Sequence, residues 1–162
     1  MYRQNPGHFL NSYIFKKWDF IHFTRDYINN IIINLYNDNQ YAEKVTTAAS
    51  ELIENAYKYS PAESDFNINL SEKNNVLVFQ VRNYPVGDAK ETYELIKSEI
   101  DKIYKISDPK EAFKLKIMES LEDPEGRSRL GLAKIRLETN AKLDVKLSEI
   151  GVIVTTATFP IK

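Results

Sequence analysis

A helix that must stop at Ser60-Pro61 constrains this chain more than any other feature, because the segments on either side have to be arranged around its faces. Proline pushes the residue before it out of the helical region, so the run from about Gln40 to Tyr59 ends there. Within that run Glu51, Asn55 and Lys58 recur at i, i+4 and i+7 and fall on one stripe. Asn55 offers a hard oxygen of the kind Mg2+ takes, Glu51 can act as a base, and Lys58 can neutralise phosphate charge. The same stripe also suits the solvated side of an amphipathic helix, and spacing alone does not choose between the two.

The flanking patterns give the order strand, two helices, two strands, helices, two strands. Tyr13 to Phe23 mixes aromatic and aliphatic residues with polar ones and reads as an opening strand, with Thr24 capping the helix that follows. In that helix Tyr27, Ile28, Ile31, Ile32, Leu35 and Tyr36 repeat at three and four, and Asn37-Asp-Asn39 ends it. Phe66 to Leu70 and Val76 to Arg82 read as a hairpin joined through Ser71 to Asn75. Helices are predicted over about Ala89 to Ile106, Lys110 to Leu121 and Leu130 to Thr139. Strands follow near Leu143 to Leu147 and Val152 to Phe159, hinged at Glu149-Ile-Gly151. This order predicts an α+β two-layer sandwich, a mostly antiparallel sheet with helices on one face.

With 162 residues and 43% hydrophobic content the chain suits one domain. A formal net charge of -1 supplies no global field for nucleic acid, so no nucleic-acid partner is expected. The absence of cysteine excludes disulfides and thiolate metal sites and is compatible with a reducing cytoplasm. No leader segment and no apolar run of about 18 residues is visible, which predicts a cytoplasmic protein without a membrane partner.

The string Ala48-Ala-Ser-Glu51-Leu-Ile-Glu-Asn55-Ala-Tyr-Lys58-Tyr-Ser resembles the N-box of the GHKL ATPases, the superfamily of gyrase, histidine kinases and MutL. It is most similar there to the small bacterial anti-sigma-factor serine kinases, and the element order matches the same Bergerat-type fold along nearly the whole chain. The resemblance implies ATP (or ADP) and Mg2+ as cofactors. It also implies a STAS-type anti-anti-sigma protein as partner, with a sigma factor and a homodimer as further expectations. Asn55 would hold the metal, Glu51 would accept the proton of a substrate hydroxyl, and Lys58 would approach phosphate.

Two further family signatures are altered. Where the family has Asp-x-Gly-x-Gly, this chain has Asn83-Tyr-Pro85-Val-Gly87. The Asn83 carbonyl can still accept from an adenine amino group, but without the charge that roughly doubles such a bond. Pro85 cannot adopt the positive φ that a loop glycine supplies. Where the family has a glycine-rich phosphate loop ending Gly-Leu-Gly-Leu, this chain has Gly126-Arg-Ser-Arg129-Leu-Gly131-Leu132. Gly131 and Leu132 match, while Arg127, Ser128 and Arg129 would bind phosphate through side chains, or an acidic partner, or simply form a surface loop.

Between these signatures, Asp88 to Glu125 stand where the family has an ATP lid, and read as helical and highly charged. The apolar residues of this stretch, Tyr93 to Ile117, either pack back on the domain or form a docking surface. His8 and His22 lack metal-ligand spacing, and no Walker A segment, dinucleotide fingerprint or Ser-His-Asp order occurs. Two functions stay open: an anti-sigma-like serine kinase using ATP and Mg2+, and a nucleotide-free module of the same fold that works by protein binding.

Overall fold

The computed structural model describes residues 7–123 and 129–161. Its ten elements are β1 (His8–Phe15), α1 (Trp18–Tyr36), α2 (Asn39–Tyr59), β2 (Asp65–Lys73), β3 (Val76–Asn83), α3 (Ala89–Lys105), α4 (Pro109–Glu122), α5 (Leu130–Thr139), β4 (Lys142–Leu147) and β5 (Ile153–Pro160). The strands form one antiparallel sheet in the order β1-β2-β3-β5-β4.

Alternation along the strands decides where the helices go. Phe66, Ile68 and Leu70 of β2, Leu77, Phe79 and Val81 of β3, and Ile153, Ala157 and Phe159 of β5 are buried on one face. Ile28 and Ile32 of α1 and Ala42, Val45, Ala49, Leu52 and Ile53 of α2 close over them. Each fully buried Phe, Ile or Leu contributes about 1.5–3 kcal/mol. The other face carries amides and hydroxyls that pair across strands, as in Asn67 Nδ2 to Asn11 Oδ1 at 2.8 Å and Gln80 Nε2 to Thr156 Oγ1 at 3.2 Å. One apolar and one polar face make the expected α+β two-layer sandwich.

Local chemistry explains most boundaries. Asp38 caps α2 by accepting from Tyr41 N at 2.9 Å, and Ser60 leaves the helix with an extended backbone before Pro61. Asp88 and Asp108 cap α3 and α4 in the same way. The β2–β3 turn is tighter than Ser71 to Asn75. Asn74 and Asn75 alone take positive φ, 52° and 61°, so Ser71, Glu72 and Lys73 stay in the ladder.

The opening strand is corrected. It ends at Phe15, and Trp18, Phe20 and Ile21 belong to α1. Ile21, Thr24, Ile28 and Ile32 are its buried side, and Thr24 is an interior residue whose hydroxyl donates to Phe20 O at 2.7 Å, not a cap. Trp18 turns its ring edge toward Tyr57 of α2, which holds the first turn down.

In the stretch that follows Gly87, α3 packs back through Ile96, Ile100 and Ile103, while Leu115, Ile117, Met118 and Leu121 of α4 stay exposed. Three contacts hold this helical hairpin. Lys116 pairs with the buried Glu99, and Arg136 of α5 donates to the carbonyls of Ile103, Ile106 and Ser107. The Tyr104 hydroxyl donates to Ala141 O and accepts from Leu143 N.

Candidate functional site

Five elements far apart in sequence contribute to one site between the helices and the sheet. Leu52, Asn55, Ala56 and Tyr59 of α2, Val81 and Asn83 of β3, Thr92 and Ile96 of α3, Arg129 and Leu132 at the start of α5, and Ile153 and Thr155 of β5 line one cavity. The fold therefore brings together Asn55, Asn83, Arg129 and Leu132. Glu51, Lys58 and Gly87 lie outside that lining, and Gly126, Arg127 and Ser128 lie outside the described residues.

Asn83 is held by its amide nitrogen. Nδ2 donates to Ser60 Oγ at 3.0 Å and, more weakly, to Tyr84 O at 3.4 Å. A backbone carbonyl only accepts, so Tyr84 fixes which end of the amide turns toward it and leaves Oδ1 to receive a donor. The loop after Asn83 takes positive φ only at Gly87, at 85°. Pro85 occupies a position that needs none, so the proline is accommodated without strain.

Arg129 is the most constrained side chain of the cavity. It is 6% exposed, its guanidinium carbon lies 4.3 Å from the centre of the Tyr59 ring, and its Nε has no hydrogen-bond partner. Burial lowers its pKa from the ordinary arginine value. A buried donor without an acceptor is costly, and an anion is the group that would satisfy it. In this arrangement the cavity measures about 20 Å³, room for about one water. A nucleotide would need the Arg129 side chain to leave the Tyr59 face.

Glu51 has a partner that the sequence did not disclose. Lys134 Nζ donates to Glu51 Oε1 at 2.6 Å, and that hydrogen bond raises the Lys134 ammonium above its ordinary value. Gly131 makes room for the same carboxylate: a Cβ there would meet Glu51 Oε2 at 2.5 Å. The glycine expected to let backbone approach phosphate here lies under the end of the Glu51 side chain, which a Cβ would displace. Lys58 is exposed and forms no ion pair among the described residues, and Leu132 is a packed residue at the cavity wall.

Among the described residues no group of three or more His, Cys, Asp or Glu side chains is placed to hold a metal. Asn55 brings an amide oxygen, a hard donor, to the cavity lining. Among the same residues no helix is long and apolar enough to cross a membrane.

Fold and cavity define an α+β two-layer sandwich with a small pocket of mixed polar and apolar lining. A chain of the SiaB-SiaC complex from Pseudomonas aeruginosa, known from its crystal structure, has this architecture. It superposes with a TM-score of 0.73 at 17% identity, over 94% of this chain and 89% of that one. At that identity the likeness is one of fold. No protein-family model and no curated protein matches the sequence.

Proposed function

We propose that this chain is a nucleotide-binding regulator of the GHKL type that acts on a partner protein, with Mg-ATP as its ligand. The observation that carries this reading is the convergence of Asn55, Asn83 and Arg129, from three separate segments, on one cavity. In it Asn83 Oδ1 receives the adenine amino group, Asn55 gives an amide oxygen to Mg2+, and Arg129 pairs with phosphate. Asn55 would hold Mg2+, which would supply charge neutralisation for phosphate. Glu51, one helical turn from Asn55, would accept the proton of a serine or threonine hydroxyl, which makes a protein kinase the activity this geometry suits. The partner reading is supported by the neighbour of like fold, which was crystallised as a complex of two proteins. A STAS-type protein remains the kind of substrate this reading names.

The alternative, a nucleotide-free protein-binding module, is favoured by the small cavity and by the Arg129 side chain that lies over Tyr59 in its wall. Incubation with Mg-ATP labelled on the terminal phosphate, with and without a STAS protein encoded nearby, separates the two. Transfer of label that is lost in Glu51→Gln supports the kinase. A thermal midpoint indifferent to Mg-ATP at millimolar concentration favours the module, because a ligand of the folded state must raise it.

A further inference from the structure

The turn that opens α5 holds an anion that belongs to the chain itself. Glu51 reaches across from α2 and lies against Gly131, the second residue of α5. Backbone N–H groups at a helix start are unpaired within the helix and carry partial positive charge, so a carboxylate is favoured there. Helical side chains lean toward the N-terminus, so Lys134, one turn after Gly131, reaches back to the same place and meets Glu51 at 2.6 Å. Arg129, which precedes this turn, is buried with its Nε unpartnered. Two cationic side chains, those of the N-cap residue Arg129 and of Lys134, thus belong to the first two turns of α5.

We infer that Lys134 is a phosphate-binding residue that exchanges partners. Without nucleotide its ammonium neutralises Glu51; with nucleotide it moves to the outermost phosphate and leaves the Glu51 carboxylate free. This rests on the nucleotide reading of the site and adds to it a residue that senses phosphate number. Lys134 is 40% exposed against 17% for Glu51, so the lysine is the partner with room to move, on a flexible four-carbon stem. Glu54 and Glu138 also face Lys134 and keep its region from being an unspecific anion trap. Adenine is assigned to Asn83, which lines the cavity while Lys134 and Glu51 do not, so Lys134 should matter to the phosphates alone.

The test is titration calorimetry of the full chain with the magnesium complexes of ATP and ADP, and with AMP. The unmodified protein is run beside Lys134→Gln, Lys134→Arg and Glu51→Gln. Lys134→Gln should weaken ATP about tenfold or more, as loss of a charge-assisted bond does, and change AMP less than about threefold. Lys134→Arg should recover most of the ATP affinity, and Glu51→Gln should raise it, since the competing carboxylate is gone. Equal loss for all three nucleotides in Lys134→Gln, or no loss for any, overturns the exchange while leaving nucleotide binding intact. If the unmodified protein binds none of the three, the nucleotide reading falls and the exchange falls with it. Circular dichroism of each variant establishes that the fold is retained.

Discussion

The carboxylate of Glu51 lies so close to Gly131 that a Cβ added there would stand 2.5 Å from Oε2. This contact sets the sign of a simple substitution. Gly131→Ala should gain up to about 1 kcal/mol of helix propensity. The carboxylate must then swing away from Lys134, which gives up about 0.2–1 kcal/mol of a half-exposed ion pair. The net change in stability should be under about 1 kcal/mol. In a Glu51→Ala background the same substitution should stabilise by about 0.5–1 kcal/mol, because nothing opposes the gain. Urea denaturation of the four proteins checks this, and an equal effect in both backgrounds would refute the contact.

Glu99 and Lys116 form a buried pair, and its two halves answer differently to pH. Burial works to raise the Glu99 pKa, but hydrogen bonds from Lys116 and Lys102 outweigh it and leave the group below its ordinary 4.5. Burial works to lower the Lys116 pKa, but its bonds to Glu99 and Glu119 leave it above 10.5. Glu99 therefore stabilises the fold above the unfolded-state value and loses that contribution as pH falls through its lower folded value. Lys116 stabilises below its unfolded-state value and loses it as pH rises through the higher folded one. Lys116→Met should cost about 2–3 kcal/mol at neutral pH, since it leaves the buried Glu99 carboxylate with Lys102 as its one ion-pair partner among the described residues, whereas Lys116→Met with Glu99→Leu should be within about 1 kcal/mol of the unmodified protein. Denaturation at pH 3 and 7 should show the cost of the single variant shrinking in acid.

Arg136 ends α3 from outside it. Its guanidinium donates to the carbonyls of Ile103, Ile106 and Ser107 and lies 4.9 Å from the Tyr104 ring centre. The planar fork meets these carbonyls from two separate nitrogens, a spread that the one nitrogen of an ammonium does not match. Arg136→Lys should therefore behave nearly as Arg136→Ala, with a loss of about 2 kcal/mol. Hydrogen exchange should place the added openings in α3 and α4 and spare β2 and β3; uniform exchange across the sheet would count against this assignment.

Asn83 should decide which base is accepted. With Nδ2 committed to Ser60 and Tyr84, Oδ1 is left to accept, a match for the amino group of adenine and a mismatch for the carbonyl of guanine. Asn83→Ala should weaken ATP about tenfold and leave GTP nearly unchanged. Competition titration of the two nucleotides measures the ratio, and a preference that survives the substitution would exclude Asn83 as the reader.

The limits of the sequence follow from how far apart the interacting residues lie. α2 was legible because its signals are local: Asn37-Asp-Asn39 before it, Ser60-Pro61 after it, and a stripe at helical spacing between. The start of α1 was not. Trp18 to Phe23 alternates like a strand, and what makes it helical is burial of Ile21 and Thr24 with Trp18 against Tyr57, 39 positions on by numbering. Asn55 and Asn83 were singled out by motif and line the same cavity. Lys134 was missed because only folding brings it to Glu51, 83 residues away. Arg129 was read as a phosphate ligand, a contact for an acidic partner or part of a surface loop; its side chain is buried over the Tyr59 ring, and no local pattern encodes that stacking.

Calorimetric titration of the purified chain with Mg-ATP, beside Asn55→Ala, tests the central claim most directly. The account predicts one site per chain in the unmodified protein and at least tenfold weaker binding in the variant, with both proteins folded. No heat of binding in the unmodified protein, or equal affinity in the two, would contradict it.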